Sequence, residues 1–251
     1  MTLLSDAELD RYARHIVLPQ VGGAGQARLK AAHVAVIGAG GIGCPVIQYL
    51  AAAGVGALTI IDDDRVELSN LQRQILFADT DIGAPKAEAA AKAAQRINPH
   101  GQYHARTQRI DAGNAAALLA GATLVVDGCD NFATRLAVNA ACVTAQIPLL
   151  SAAIGAFDAQ VALFEGWRDH QPCYACLVGN DPAREGVNCA EAGVLGALAG
   201  FAGTLAAIEA VRVLAGFGEA LTGKLILTDM LERRWREVRI AKDPECPICR
   251  Q

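Results

Sequence analysis

The stretch HVAVIGAGGIGCPVIQYL, residues 33–50, decides the fold class. An apolar run, HVAVI, leads into three glycines with the spacing Gly38-x-Gly40-x-x-Gly43, and a helical pattern follows. Glycines let the backbone approach phosphate oxygens, and the N-terminus of the next helix supplies free N–H groups and the positive end of its dipole. This strand, turn and helix predict a site for a di- or triphosphate.

Strand-like and helical patterns alternate through the first 150 residues. After HVAVI the strand-like runs are LTIID, QYHARTQ, LVVDG and PLLSAA, separated by Ala-rich helical stretches. Such alternation is typical of a parallel sheet covered on both faces. Beyond residue 151, AQVALFE, KLILTDM and WREVRI predict further strands, and the short link between the last two favours an antiparallel pair. The predicted fold is α/β, a Rossmann-like doubly wound mixed sheet, parallel in its N-terminal part with antiparallel C-terminal strands.

Length and composition exclude several classes of protein. A chain of 251 residues can bury a substantial core, and we expect one domain over residues 1–251. The net charge of −4 and the pI near 5.7 argue against nucleic-acid binding. The most apolar run, residues 194–208, ends before Glu209, short of the ~20 residues of a membrane span. The N-terminus shows a helix capping box, Ser5 with Glu8, and not the order of a signal peptide. We expect a cytoplasmic protein that contacts neither nucleic acid nor membrane.

Several acidic residues follow the second predicted strand, in TIIDDDRVELSNLQRQILF. Asp62 lies 24 residues after Gly38, where an acidic side chain commonly bonds ribose hydroxyls. Asp63 and Asp64 come next, and Arg73 follows shortly after. A nicotinamide dehydrogenase needs only one acid at this place. Several carboxylates with basic residues suit a triphosphate that carries Mg²⁺, because the metal takes oxygen ligands and the cations offset phosphate charge.

Two further residues belong to the same predicted edge of the sheet. Lys86 follows Pro85 at the start of the helical stretch PKAEAAAKAAQRI and is a second candidate phosphate cation. Asp130, in LVVDGCDN, is a candidate Mg²⁺ ligand after another strand. In open α/β sheets the ligand crevice lies at the carboxyl ends of the strands. A dehydrogenase and a nucleotide-sensing module remain as alternatives, although a sensor would need neither Arg73 nor Lys86.

The cysteines include two Cys-x-x-Cys pairs. They are Cys173 with Cys176 and Cys246 with Cys249. Each pair can form one thiolate knuckle, and two knuckles close a tetrahedral zinc site that is structural rather than catalytic. A dithiol redox role is the rival interpretation. Paired cysteines of this kind in a reducing compartment usually indicate metal or redox chemistry rather than structural disulfides.

Six motifs in the same order resemble the MoeB/ThiF/HesA family, the bacterial relatives of ubiquitin-activating enzymes. The motifs are RYARHIVL, GAGGIGCP, DDDRVELSNLQRQILF, APKAEAA, GCDNFATR and CAEAGVLG, and they extend over nearly the whole chain. The family uses ATP to adenylate the C-terminal glycine of a small ubiquitin-like sulfur carrier, and the same cysteine pairs are present in it. The resemblance implies an adenylyltransferase with ATP, Mg²⁺ and structural Zn²⁺. It also implies a nucleotide-binding part over residues 1–150 and a carrier-binding and zinc part over residues 151–251.

The resemblance assigns roles to residues at matching positions. Asp62 would hold ribose, and Asn70 and Arg73 would hold phosphates. Lys86 would stabilise the leaving pyrophosphate, and Asp130 would bind Mg²⁺. The candidate nucleotide-binding residues are together Gly38, Gly40, Gly41, Gly43, Asp62, Asp64, Asn70, Arg73, Lys86, Asp130 and Asn131.

The roles of two further residues, and the expected partner proteins, rest on the resemblance alone. Arg14 resembles the family arginine that reaches across a homodimer into the partner's active site. Cys189 matches a cysteine that accepts the activated carboxyl or sulfur in some relatives. In the molybdopterin branch a matching cysteine is present without a clear need for it, so a role in sulfur transfer and the absence of such a role both stay open. The expected carrier ends in Gly-Gly and belongs to molybdenum cofactor biosynthesis, with a thiamine carrier as the alternative. We expect a homodimer and a separate sulfur-donor protein.

Overall fold

Eight strands of the described residues form one sheet. The computed structural model describes residues 4–183 and 193–250. The order across the sheet is β3-β2-β1-β4-β5-β6-β7-β8. The strands are β1 His33–Ile37, β2 Ala57–Ile61, β3 Gln102–Arg106, β4 Leu124–Asp127, β5 Leu149–Ile154, β6 Asp158–Phe164, β7 Lys224–Asp229 and β8 Arg234–Arg239.

The sheet is parallel in its N-terminal half and antiparallel in its C-terminal half. Strands β1 to β5 pair in parallel, with Val36 opposite Ile60 on one side and Val126 on the other. Strands β6, β7 and β8 each run antiparallel to the strand before them. Burial on both faces explains the continuous apolar runs of β1, β2 and β4. The predicted mixed doubly wound fold is confirmed.

Helices cover both faces of this sheet. The helices within the described residues are α1 Asp6–Arg11, α2 Ala13–Ile16, α3 Gly22–Ala31, α4 Gly43–Ala53, α5 Lys86–Ile97, α6 Ala115–Leu118, α7 Phe132–Ala145, α8 Tyr174–Val178 and α9 Gly196–Ala215. Alternate residues of β1 point to opposite faces, so Val34 and Val36 join the core under α3, α4, α5 and α9. Ala35 and Ile37 join a second core under α6, α7 and α8. The strand that precedes the glycine turn is therefore buried from both sides.

Helix α9 continues beyond the apolar run of the sequence. The run ends before Glu209, whereas the helix spans Gly196–Ala215, 20 residues with a mean hydropathy of 1.6. Within the described residues it alone is long and apolar enough to cross a membrane, by length and composition only. Glu209 is buried inside the helix, and the guanidinium of Arg212 lies 3.1 Å from its carboxylate. A Cβ on Gly203 would lie 2.3 Å from the Ile42 carbonyl oxygen, so α9 packs closely against α4 in the core.

The N-terminal helices are fastened to this body by buried polar contacts. The capping box is present, with the Ser5 hydroxyl and the Glu8 carboxylate each closing on the other's backbone N–H. Glu8 also accepts a hydrogen bond from Lys30 of α3 at 2.6 Å. The Tyr12 hydroxyl accepts from the buried Asn98 side chain at 2.7 Å. These contacts fix the position of α2, which carries Arg14.

Candidate active site

The glycine turn connects β1 to α4 at the carboxyl edge of the sheet. Gly38 has φ +85°, a conformation that side chains rarely adopt. A Cβ on Gly43 would lie 1.9 Å from the Gly38 carbonyl oxygen, and one on Gly41 would lie 2.9 Å from Ala199 of α9. Gly40 has room, with its nearest neighbour at 3.9 Å. Gly38 is therefore required by its positive φ, Gly41 by the Ala199 side chain and Gly43 by the neighbouring backbone, whereas Gly40 has room where a ligand can approach.

A cleft of about 800 Å³ opens at this edge of the sheet. Its first part is lined by the predicted residues Gly38, Gly40, Gly41, Asp62, Asp63, Asp64, Asn70, Arg73, Lys86, Asp130 and Asn131. The cleft continues along the antiparallel strands, where Asp158, Gln160, Thr228, Asp229, Arg234 and Arg236 line it. The fold thus brings together nearly all the candidate nucleotide-binding residues, and it adds an extension that the sequence analysis did not predict.

Asp62 lies beside the glycine turn at the end of β2. One carboxylate oxygen accepts from the Ala39 backbone N–H at 2.7 Å and the other from the Asp64 N–H at 2.8 Å. Burial raises the pKa of Asp62, although these two N–H groups act in the opposite direction. Each oxygen keeps a second lone pair, so the carboxylate can still accept ribose hydroxyls.

Lys86 is a buried cation at the first position of α5. It is 5% exposed, and its Nζ lies 2.8 Å from Oδ2 of Asp64, a side chain that is mostly in water. A lysine in the first turn opposes the helix dipole, which favours acidic residues there. Both burial and the dipole disfavour this charge, so fold stability does not explain it. A charge held in such a place suits an anionic ligand.

Arg73 belongs to a short polar network on the loop after β2. One guanidinium nitrogen donates to the Asn70 side-chain oxygen at 2.9 Å, and Gln74 donates to the same oxygen at 3.2 Å. Because a guanidinium can only donate, the Asn70 amide atom that faces Arg73 must be the oxygen. Gln74 must then turn its amide nitrogen towards that oxygen. The aliphatic part of Arg73 packs over Gly41, 3.4 Å from where a Cβ would lie. The network holds the guanidinium against the glycine turn.

Asp130 and Asn131 lie at the entrance to α7. The Asn131 side chain is the N-cap of α7 and accepts from the Thr134 backbone N–H at 2.9 Å. Asp130 is exposed, and within residues 4–183 and 193–250 its carboxylate makes no hydrogen bond or ion pair. A carboxylate without a partner in a cleft with other oxygen ligands fits the donor set of Mg²⁺.

The four paired cysteines form one cluster beside α7, where Asn139 contacts Cys173. Their sulfur atoms all lie within 4.8 Å of one another. The Sγ–Sγ distances are 3.7 Å for Cys173 and Cys246, 3.4 Å for Cys176 and Cys249, and 3.9 Å for Cys173 and Cys176. Four thiolates at about 2.3 Å from a tetrahedral zinc ion would be about 3.8 Å apart. The cluster is therefore compatible with a structural zinc ion that fastens the C-terminal segment to α8.

Comparison of the sequence with family models finds a match over most of the chain. The family model described as "ThiF family" matches residues 12–248. The chain belongs to the ThiF family.

Two curated relatives of this chain are named adenylyltransferases. A "Sulfur carrier protein adenylyltransferase" of Thermus thermophilus is 48% identical over 246 residues, covering 96% of this chain and 91% of the relative. A "Molybdopterin-synthase adenylyltransferase" of Salmonella typhimurium is 43% identical and covers the whole of both chains. The predicted family and the predicted enzyme class are confirmed.

Solved structures share the fold. Escherichia coli MccB with ATP has a TM-score of 0.78 at 25% identity, covering 91% of this chain and 70% of that one. MccB with MccA-N7isoASN has a TM-score of 0.84 at 24% identity, covering 99% and 76%, and at that identity it supports the fold alone.

Two residues to which the family resemblance gave a role are not placed in this cleft, Arg14 by its position and Cys189 because the structure does not describe it. Arg14 is exposed on α2 and is not among the residues that line it. Cys189 lies outside the described residues. The catalytic roles given to both remain predictions, as do those of the lining residues.

Three buried residues near the site were missed by the sequence analysis. Gln74 is 3% exposed, and its side-chain oxygen has no hydrogen-bond partner within the described residues. Arg135, which lines the cleft, and Asn139, which contacts the cysteine cluster, are both buried on one face of α7. All three stand beside or inside quoted motifs, but no spacing rule distinguishes such residues from ordinary polar helix or loop residues.

Proposed function

We propose that this chain uses ATP to adenylate the C-terminal glycine carboxylate of a small ubiquitin-like sulfur carrier and releases pyrophosphate. One observation carries the proposal: two basic side chains and several carboxylates converge on a glycine turn at the carboxyl edge of a parallel sheet. A nicotinamide dehydrogenase has no use for that set of charges. A nucleotide sensor would not need a buried lysine in a position that costs stability.

The basic residues solve an electrostatic problem. A carboxylate that attacks the α-phosphate brings two anions together, so positive charge must be in place before the reaction. Arg73 is held by Asn70, and Lys86 is held by Asp64, which keeps both cations at the cleft wall. No general base is needed, because a C-terminal carboxyl titrates near ~3.5 and is ionised at neutral pH.

Asp130 is the proposed ligand of Mg²⁺. Its exposed carboxylate and the carboxylates of Asp62, Asp63 and Asp64 line the same cleft. When bound, Mg²⁺ would neutralise part of the charge on the phosphates that leave. Asp62 already accepts hydrogen bonds from two backbone N–H groups, which suits it to hold ribose. The Asp130 carboxylate is then the one left to bind the metal.

The extension of the cleft supports a peptide substrate. From the glycine turn the cleft continues along the antiparallel strands β6, β7 and β8. Its lining there includes Asp158, Gln160, Thr228, Arg234 and Arg236. A small molecule does not need such a length, whereas an extended Gly-Gly tail does. The basic pair at the far part would attract a carboxylate that enters along it. The Thermus and Salmonella relatives named above carry sulfur-carrier and molybdopterin-synthase names, which favours the molybdopterin branch over a thiamine carrier.

The oligomeric state and the partner proteins are part of the same proposal. The chain acts as a cytoplasmic homodimer, one domain per chain, in which Arg14 of each protomer completes the partner's site. Its exposure next to Tyr12, whose hydroxyl is bonded to the buried Asn98, supports this, since among the described residues the Arg14 side chain makes no hydrogen bond or ion pair. A separate protein donates the sulfur, and Cys189 is the candidate to accept the activated carboxyl.

ATP–pyrophosphate exchange tests the proposed reaction. Exchange should require a purified molybdopterin-type carrier and should vanish when the carrier's terminal glycine is deleted. Exchange with a thiamine-type carrier and not with the molybdopterin-type one would move the protein to the other branch. A nicotinamide-dependent absorbance change, or ATP binding without exchange under any carrier, would refute the proposal.

A further inference from the structure

We propose that Arg135 is a positioning residue, which fixes the loop that carries Asp130 and is itself supported by the cysteine cluster through Tyr174. This inference rests on the proposed function, because it concerns the proposed Mg²⁺ ligand. It implies that the cysteine cluster and the cleft, which both contact one face of α7, are coupled mechanically.

Arg135 holds the residue immediately before Asp130. Its guanidinium donates to the carbonyl oxygen of Cys129, and the N–H of Cys129 donates to Oδ1 of Asp127 at 3.0 Å. The residue after Asp130, Asn131, is fixed as the N-cap of α7. Asp130 is therefore suspended between two anchored neighbours while its own carboxylate stays free for a ligand.

The same guanidinium ties this loop to the next strand. It donates to the Ser151 hydroxyl and to the Ala152 carbonyl oxygen, each at 2.9 Å. Arg135 is 5% exposed and Asp127 is 1% exposed, and their nearest charged atoms are 3.8 Å apart. The planar, branched guanidinium reaches the loop, β4 and β5 at once, whereas a lysine would supply one compact charge with a single nitrogen.

Tyr174 connects Arg135 to the cysteine cluster. The guanidinium carbon lies 5.9 Å from the centre of the Tyr174 ring, within the range of a cation–π contact. Tyr174 follows Cys173 directly, and its backbone N–H donates to the Asn139 side chain at 2.9 Å. Asn139 also donates to Sγ of Cys173 at 3.4 Å. Since Arg135 and Asn139 are four residues apart on α7, one helix face contacts both sites.

Arg135 therefore acts as an outer support of the proposed metal site. Replacing such supports typically lowers metal affinity by ~10-fold to ~100-fold. A residue that served only the stability of the fold would change the melting temperature without changing metal affinity. The divalent metal dependence of the folded variant separates the two.

The test compares Arg135→Lys with the wild type and with Arg28→Lys. Arg28 is a matched control, because it also donates to a backbone carbonyl, that of Ala215, away from the cleft. Mn²⁺ is titrated into protein with a non-hydrolysable ATP analogue and followed by electron paramagnetic resonance. Arg135→Lys should bind Mn²⁺ at least ~10-fold more weakly. The Mg²⁺ concentration that half-saturates exchange should rise by a similar factor, with the rate recovering at high Mg²⁺, and the control should match the wild type.

Tyr174→Leu tests the link to the cysteine cluster. It keeps Arg135 and all four cysteines, and it should weaken Mn²⁺ binding in the same direction while the zinc content stays unchanged. Wild-type metal affinity in folded Arg135→Lys overturns the inference, and wild-type affinity in Tyr174→Leu overturns its second step. If Arg135→Lys does not fold, Tyr174→Leu decides alone. A wild type without exchange would instead refute the proposed function.

Discussion

Replacing Lys86 by methionine should separate catalysis from stability. Methionine keeps the length of the side chain and removes the charge. The lysine is 5% exposed, so the wild type bears the cost of a buried cation. Its partner Asp64 has 68% of its side chain exposed and remains solvated after the change. We therefore expect the free energy of unfolding to stay within ~1 kcal/mol of the wild type or to rise.

The same substitution should lower the reaction rate strongly, although stability is unchanged or rises. Loss of one preorganised charge-stabilising group costs about 2.7 to 4 kcal/mol of transition-state stabilisation, which is ~10²-fold to ~10³-fold in rate. Removing the cation also leaves Asp64 as an uncompensated negative charge beside the phosphates, so ~10²-fold is the lower bound.

ATP–pyrophosphate exchange with carrier measures the rate, and denaturant unfolding measures the stability. Lys92→Met is the matched control, because Lys92 is exposed on the same helix and should change neither quantity. A rate for Lys86→Met within a few-fold of the wild type would contradict the proposed role. A loss of several kcal/mol in stability that accounts for the loss of rate would assign Lys86 to the fold instead.

Three further results are expected. Gly43→Ala should destabilise the protein by ~3 kcal/mol and abolish ATP binding, because its Cβ would lie 1.9 Å from a carbonyl oxygen, whereas Gly40→Ala should fold normally, as denaturant unfolding will show. Cys249→Ser should lose most bound zinc by elemental analysis and ~3 kcal/mol or more of stability, and retained zinc would point to another ligand set. Burial raises the pKa of Glu8, but hydrogen bonds from Lys30 and from the Ser5 N–H lower it more, so that it lies below 4.5. The ionised carboxylate therefore stabilises the fold above that pH, and this stabilisation is lost as the pH falls through the folded pKa. Glu8→Gln should therefore be less stable than the wild type at pH 7, with a gap that closes below about pH 4.5 in unfolding measured across pH; a constant gap would contradict this.

Much of the cleft followed from local patterns. Period-two and continuous apolar runs predicted all eight strands, because burial on one or both faces leaves a direct trace in neighbouring residues. Gly38 and Gly43 were recognisable for a similar reason, since a turn that admits no side chain accepts only glycine. Parallel strands end at one edge of the sheet, which is why Asp62 and Asp130 could be expected together before any contact was known.

Other features depended on packing between distant segments. Glu209 ends the apolar run of the sequence, yet α9 continues to Ala215 and the fold buries this acid. Arg135 appeared as one polar residue among many in a helical motif, and its contacts come from β4, β5 and Tyr174. No window of sequence contains those partners together.

The amino-acid sequence by itself determined the order of strands and helices, the glycine turn, the two Cys-x-x-Cys pairs and the class of chemistry. Only the tertiary structure decided that Lys86 is buried beside Asp64, that the cleft continues along β6 to β8, and that Arg135 stands between the cleft and the cysteines. The physical reason is range. Backbone preferences and hydrophobic periodicity act over a few residues, whereas burial of a charge and the partners it finds are set by segments that meet only after the chain has folded.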